Sequence, residues 1–347
     1  MPLIHIRHWP QPIEAGRSRI LEAALDGGVP YPHGCSSGEC GSCKTRLLSG
    51  QVTMDPYSTD ALSDTERAAG LILACRAKPT CDVRVEWLSV EKPLDIARFE
   101  AGVVDLRPLA HDVMALTLSI PSGVNMGFRP GQYAKLRVAD FPARSYSMAN
   151  QPGQGLLEFH LRLVPNGLMS GFVENRLKTG DRVGVQGPFG DAGWKNEQSP
   201  AEAPLLLLAG GTGLAPMLSV LDAALSSGVP GQRIHLYHGV RAARDAYASE
   251  QLEARTRAHG FRFVQVFSDD VAGAQRRGFV HHALGEDFGC LATARIYAAG
   301  PPPMVDAVKD LALQRGAAAD SICADAFHAA EPQKKRLWER LSAWGRA

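Results

Sequence analysis

Four cysteines carry the first chemistry in this sequence: Cys35, Cys40 and Cys43 in a C-x4-C-x2-C loop, and Cys75 well downstream. A clustered triplet with a distant fourth thiol is the ligand pattern of a [2Fe–2S] cluster. Each of the two ferric irons takes two terminal sulfur ligands, so four thiolates are required and one short loop can wrap most of the cluster. Gly38 and Gly41 permit turns that aim backbone N–H groups at sulfur. A structural zinc site or a group of buried free thiols are the competing readings. The chain has 7 cysteines, an odd number that argues against a complete disulfide framework. Cys81, Cys290 and Cys323 lack such company and read as buried free thiols.

A second group of residues suits a flavin nucleotide. Such a ligand needs a cation for its phosphates, an apolar ring face and a polar group near N5. In the run Arg144-Ser145-Tyr146-Ser147, Arg144, Tyr146 and Ser147 can supply these in turn. Gly167 to Ser170 and Gly187-Pro188-Phe189-Gly190 follow at suitable distances. The alternative is a surface ion pair for Arg144 and a half-buried core place for Tyr146.

A third group suits a nicotinamide cofactor. Gly210-Gly211-Thr212-Gly213-Leu214-Ala215-Pro216 lies between an apolar strand and a helix. Glycines let the backbone approach a pyrophosphate, and the helix N-terminus favours its charge. Gly300-Pro301-Pro302 repeats the strand–turn–helix arrangement. Two such turns on one sheet edge mark the ligand-binding edge of a doubly wound fold. Tight strand–helix packing is the competing reading for either turn. Arg241 and Arg244 follow the second strand of this region. Either can contact an adenine ribose or a 2′-phosphate or stand as a solvated surface charge, the latter being the better reading for Arg244. No acidic residue ends that strand, so the usual cue for NADH over NADPH is missing.

Three kinds of pattern position these groups. Residues 1–92 read as a compact α+β domain: a strand over 2–8, a helical stripe at Ile20, Leu21, Ala24 and Leu25, a capping box at Ser63 and Glu66, and alternation at Val83, Val85 and Trp87. Pro93 lies in a linker. Residues 99–197 show short alternating segments, such as 113–120 and 133–138, broken by Gly and Pro, which predicts an antiparallel β-barrel. Residues 200–330 alternate strands (205–209, 234–237, 261–267, 296–298, near 322) with helices (216–225, 304–314), which predicts an α/β doubly wound sheet.

Composition narrows the function. Hydrophobic residues make up 45% and charged residues 21%, close to the globular average. With 37 basic against 36 acidic residues, no basic face for nucleic acid is expected. No apolar run approaches the ~20 residues of a membrane span, and the N-terminus lacks the apolar stretch of a signal peptide. A cytoplasmic protein with neither nucleic-acid nor membrane partner is expected.

Together these residues resemble the iron–sulfur flavoprotein reductases of bacterial aromatic-ring-hydroxylating oxygenases, the naphthalene dioxygenase reductase type. In these a plant-type ferredoxin is fused to a ferredoxin–NADP reductase-type module. The resemblance spans roughly residues 3–328 and rests also on Pro130 to Tyr133, Arg144 to Met148, Tyr237 to Arg241 and Ala324 to Phe327. It implies a β-grasp ferredoxin domain, an FAD barrel and an NAD(P) domain. It implies cluster ligation by Cys35, Cys40, Cys43 and Cys75. FAD would be held by Arg144, Tyr146 and Ser147, with its pyrophosphate at Gly167–Ser170. The nicotinamide cofactor, NADH or else NADPH, would lie on Gly211, Thr212, Gly213, Arg241, Gly300 and Pro301. Phe327 would lie near the flavin ring and join Tyr146 and Ser147 as reaction-centre residues. Leu168 stands where the family has a basic residue, and Ala299 where it has cysteine.

The implied activity is an electron relay from NADH through FAD and [2Fe–2S] to a terminal Rieske-type oxygenase or its ferredoxin. Alternatives are a diiron monooxygenase, a cytochrome P450 or a deoxysugar dehydratase as acceptor, or a non-catalytic electron-transfer subunit. Residues 331–347 place Leu337, Leu341 and Trp344 at helical spacing among five basic residues, Lys334, Lys335, Arg336, Arg340 and Arg346. This tail reads as a helix packed on its own domain or, alternatively, as a docking helix.

Overall fold

A computed structural model gives the fold. It describes residues 1–7, 9–34, 36, 38, 41–59, 61–88, 94–190, 193–194, 202–269 and 276–327. Cys35, Cys40, the linker at Pro93 and the 331–347 tail lie outside the described residues.

The first unit contains β1 (Leu3–Ile6), β2 (Ile13–Glu14), α1 (Ile20–Asp26), β3 (Lys44–Ser49), β4 (Val52–Met54), α2 (Asp64–Ala68), β5 (Leu71–Leu73), β6 (Ala77–Pro79) and β7 (Val83–Trp87). Its main sheet runs β2-β1-β7-β3-β5, with β4 and β6 paired beside it. α1 buries Ile20, Leu21, Ala23, Ala24 and Leu25 in the same core as Ile4, Ile6, Val83 and Val85. α2 starts where its capping box requires: Glu66 N–H donates to Ser63 Oγ, and Ser63 N–H donates to the Glu66 carboxylate.

The second unit is a six-stranded antiparallel sheet, near closure as a barrel. Its elements are β8 (Ala97–Ala110), β9 (Val113–Ser119), β10 (Tyr133–Arg137), β11 (Arg144–Ser147), β12 (Leu156–Arg162), α3 (Leu168–Asn175) and β13 (Arg182–Phe189). The strand order is β11-β10-β13-β8-β9-β12. A bridge between Met148 and Phe159 joins the two edges, β11 to β12. Closure removes the unpaired edges that an open sheet would expose.

The third unit holds β14 (Leu205–Gly210), α4 (Leu214–Ser226), β15 (Ile234–Val240), α5 (Ser249–His259), β16 (Arg262–Phe267), α6 (Val280–Asp287), β17 (Arg295–Gly300), α7 (Pro302–Gln314) and β18 (Ile322–Ala326). The sheet is parallel, in the order β16-β15-β14-β17-β18. β14 is buried at every position. Leu205, Leu207 and Ala209 pack on the α4 side, and Leu206 and Leu208 pack on the α6–α7 side. That is why the strand reads as a continuous apolar run rather than an alternation.

The lone cysteines differ from expectation. Cys81 and Cys290 are exposed and Cys323 is only partly buried. Cys81 sits in the turn before β7, where its sulfur accepts from Gln51 N–H at 3.3 Å. Cys290 lies in the short connection between α6 and β17. Turn position, not intrinsic apolarity, sets their exposure.

Leu207 is fully buried at the centre of the third unit. Leu207→Ala should cost about 3 kcal/mol of that unit's stability, read as a lower urea midpoint at unchanged slope.

Candidate active site

β14 and β17 are neighbours, and their connections leave toward opposite faces of the sheet. Their C-terminal ends therefore form a topological switch point, where open α/β sheets bind ligands. Both glycine turns lie there. Gly211–Gly213 forms one turn of 3-10 helix that runs into α4. Gly300 precedes α7, with Pro302 and Pro303 in its first turn.

The glycines divide into two kinds. A Cβ on Gly213 would stand 2.0 Å from the Ala299 carbonyl oxygen, and one on Gly300 would stand 2.8 Å from the Gly210 carbonyl oxygen. These two residues, with Gly210 against Met304 and Pro301, let the turns press on each other. Gly211, at φ +54°, has open space beside it, with only an Arg162 nitrogen at 3.8 Å. Gly211, Thr212, Arg241 and Pro301 line a cavity of about 490 Å³, together with Tyr247 and Phe279. Gly213 and Gly300 lie behind it as packing residues. Arg244 is largely exposed.

Behind the turn, the fully buried His238 donates from Nε2 to the Gly211 carbonyl at 3.1 Å. Its Nδ1 is buried with no partner among the described residues. Burial pushes this imidazole down to about 4, with hydrogen bonding to Gly211 and Gln265 acting the other way. The Tyr247 ring meets His238 and His160 edge-on at 5.4 and 5.3 Å. Its hydroxyl lies 3.1 Å from His160 Nδ1 on β12, so barrel and sheet share one buried cluster.

On the barrel, β11 carries Arg144, Tyr146 and Ser147. Ser147 is buried, and its Oγ donates to Asp325 on β18 over 3.4 Å. Burial pushes the Tyr146 phenol up to about 12, partly offset by Arg144. Tyr146 is therefore a neutral ring at ordinary pH. Phe327 follows β18, and its N–H donates to the Gly300 carbonyl at 2.8 Å. Ser147, Asp325, Phe327 and Gly300 thus stand along one seam between barrel and sheet. Gly167 is the N-cap of α3. Ser170 Oγ accepts from Val164 N–H at 2.8 Å and shapes that turn, while Leu168 is 68% exposed.

In the first unit, Cys43 and Cys75 are both buried. Ala74 N–H donates to the Cys43 carbonyl at 3.1 Å, which sets these two stretches side by side. Gly38 and Gly41 have φ of +86° and +74°. A Cβ on Gly38 would meet the Arg76 side chain at 2.9 Å, and one on Gly41 the Ala61 carbonyl at 3.0 Å. Only glycine lets the loop fold this closely, and two buried thiols at its end fit thiolate ligation of a cluster.

Sequence reasoning missed the Ser147–Asp325 contact, the His160–Tyr247–His238 cluster and the pairs between the first two units. Each joins residues far apart in the chain, so no local spacing announces it.

Three family descriptions match the chain in order: "2Fe-2S iron-sulfur cluster binding domain" over residues 8–80, "Oxidoreductase FAD-binding domain" over 100–194 and "Oxidoreductase NAD-binding domain" over 207–310. The chain is 38% identical to an aromatic O-demethylase reductase subunit from Amycolatopsis sp., over 83% of this chain and 87% of that protein. It is 35% identical to the ferredoxin–NAD(P)+ reductase component of the naphthalene 1,2-dioxygenase/salicylate 5-hydroxylase systems of Ralstonia sp., over 90% and 94%. The solved structure of the Amycolatopsis cytochrome P450 reductase GcoB is similar at a TM-score of 0.78 and 34% identity, covering 94% of this chain and 99% of that one.

His238 gives a pH test. Well above pH 6.5 the ring is neutral in both states. As pH falls from 6.5 toward about 4, the unfolded chain takes up a proton that the folded chain does not. Stability should fall across that window by about 3 kcal/mol, and His238→Gln should flatten this part of the stability–pH profile.

Proposed function

The chain belongs to the family of oxygenase-system reductase components that join a 2Fe-2S domain, an FAD-binding domain and an NAD-binding domain, and on that premise we propose how its own residues run the relay. It is an oxidoreductase that carries electrons from NADH through FAD to a [2Fe–2S] cluster and on to a separate oxygenase component or ferredoxin. Among the described residues no helix is long and apolar enough to cross a membrane.

The division 1–92, 99–197 and 200–330 assigns one cofactor to each unit. Bound FAD supplies acceptance of a hydride from NADH and delivery of single electrons. The protein supplies binding, orientation and exclusion of water. Arg144 pairs with FAD phosphate, and the Gly167–Ser170 turn at the start of α3 presents N–H groups to the pyrophosphate. Tyr146 covers the ring as a neutral apolar face, and Ser147 Oγ offers a hydrogen bond at its edge. Gly211, Thr212, Arg241 and Pro301 bind NADH in the cavity, while Gly213 and Gly300 hold the two turns together. Phe327 fills the space beside the flavin. Cys35, Cys40, Cys43 and Cys75 ligate the cluster.

The observation that carries this reading is the seam. Ser147 touches Asp325, and Phe327 is tied to Gly300, which supports a flavin edge at Ser147 facing the same space as the nicotinamide turn. The partner is proposed to be an oxygenase acting on an aromatic substrate, as for the similar aromatic O-demethylase and naphthalene dioxygenase/salicylate hydroxylase reductases. A cytochrome P450 is a second acceptor reading, favoured by the similar solved structure. The location is proposed to be the cytoplasm, with no membrane or nucleic-acid partner.

The purified chain loaded with FAD and cluster should reduce cytochrome c with NADH. Arg144→Ala should lower the bound FAD content several-fold and the NADH rate with it, restored by excess FAD. Loss of rate at full FAD occupancy would contradict the role given to Arg144.

A further inference from the structure

His33 is 2% exposed, and both its ring nitrogens are bonded. Nδ1 lies 2.7 Å from the Tyr31 carbonyl oxygen, which can only accept, so Nδ1 carries the hydrogen. In the neutral ring Nε2 then accepts from the Tyr133 hydroxyl, 2.8 Å away on β10 of the barrel. The bond joins residues 100 positions apart in two different units.

The surroundings are built for it. The Phe189 ring of β13 packs with Tyr133 at 5.7 Å and with His33 at 5.8 Å. Phe189 is buried in the core of the first unit rather than in that of its own barrel. Gly190, at φ +96°, follows it, and a Cβ there would stand 3.1 Å from the Tyr133 ring. The Gln132 amide donates to the Gly190 carbonyl at 2.8 Å and fixes the turn. The run Gly187–Gly190, read from sequence as part of a flavin site, thus also seats the iron–sulfur unit. Nearby, Arg98 donates to the Asp26 carbonyl at the end of α1. The Lys135 ammonium lies 5.1 Å over Phe189, and burial lowers its pKa.

We propose that His33 and Tyr133 form a positioning junction that holds the cluster-binding loop at a fixed distance from the flavin. His33 lies two residues before Cys35. Tyr133 is the register partner of Ser147 across β10 and β11. One partly buried hydrogen bond therefore connects the start of the cluster loop to the strand pair that carries Ser147. The inference rests on the placement of FAD at Ser147 given above. In the step it serves, one electron leaves reduced FAD and one ferric ion of the cluster becomes ferrous. No bond is made or broken at the junction. Because tunnelling rates fall steeply with distance, the junction sets the rate by excluding separated arrangements of the two units.

The test uses the full chain loaded with FAD and cluster. Tyr133→Phe keeps the ring and removes the hydroxyl, and His33→Ala removes the acceptor. Anaerobic stopped-flow with NADH follows cluster reduction, ferricyanide reduction follows the flavin alone, and hydrogen exchange follows the amides of Val29, Tyr31, His33 and Gly34. Both variants should slow cluster reduction by about fivefold or more, the equilibrium equivalent of one net hydrogen bond. Ferricyanide reduction should hold within about twofold, and exchange at the amides of Val29, Tyr31, His33 and Gly34 should quicken. The EPR spectrum of the dithionite-reduced cluster should be unchanged. Cluster reduction at the parent rate in both variants would overturn the junction, as would unchanged exchange. A parallel loss of ferricyanide reduction would overturn it too, by placing the defect at the flavin. Failure of the flavin placement itself shows separately, as absent ferricyanide reduction in the parent chain.

Discussion

NADH gives up two electrons as a hydride, whereas a [2Fe–2S] cluster accepts one at a time, so three cofactor sites must be held in fixed succession. The contacts between units meet that constraint more than anything inside a unit. Ser147 to Asp325 and His160 to Tyr247 tie the barrel to the parallel sheet. His33 to Tyr133 and Arg98 to the Asp26 carbonyl tie it to the iron–sulfur unit. Each bond is worth little by itself, and the Arg98 bond is exposed; but His160–Tyr247 is buried and Ser147–Asp325 and His33–Tyr133 are partly so, and a buried polar group left without its partner costs more than the bond returns when made. Such pairs therefore favour one arrangement of the units over many.

The same logic explains the glycine turns. Gly213 and Gly300 allow two backbone segments to touch at the switch point of the sheet, and His238 fixes the carbonyl of Gly211 from behind. The outcome is a closely packed wall beside the cavity lined by Gly211, Thr212 and Arg241. Ala299 is fully buried, and its carbonyl oxygen is the atom that a side chain on Gly213 would strike. That position serves turn packing whatever else a larger residue there would do.

Much of the fold was legible because its determinants are local. The apolar run of β14, the capping box of α2 and the C-x4-C-x2-C loop each declare themselves within a few residues. The division of labour among the glycines was not legible, since it depends on which backbone approaches from β17. The exposure of Cys81 and Cys290 was misjudged because residue type says nothing about turn position. The sequence motif ending at Gly190 was noticed, but its contact with Tyr133 and the burial of Phe189 against the iron–sulfur unit appear only in three dimensions. His33 and Tyr133 could not be paired from sequence at all, since no spacing rule links positions so far apart.

The central claim is that electrons entering from NADH reach the cluster through the flavin within this one chain. An EPR spectrum of the purified, FAD-loaded chain after anaerobic NADH addition tests it most directly. A rhombic reduced [2Fe–2S] signal, matching that produced by dithionite, is the result the account predicts. Bleaching of the flavin by NADH with a cluster that stays silent until dithionite is added would contradict it.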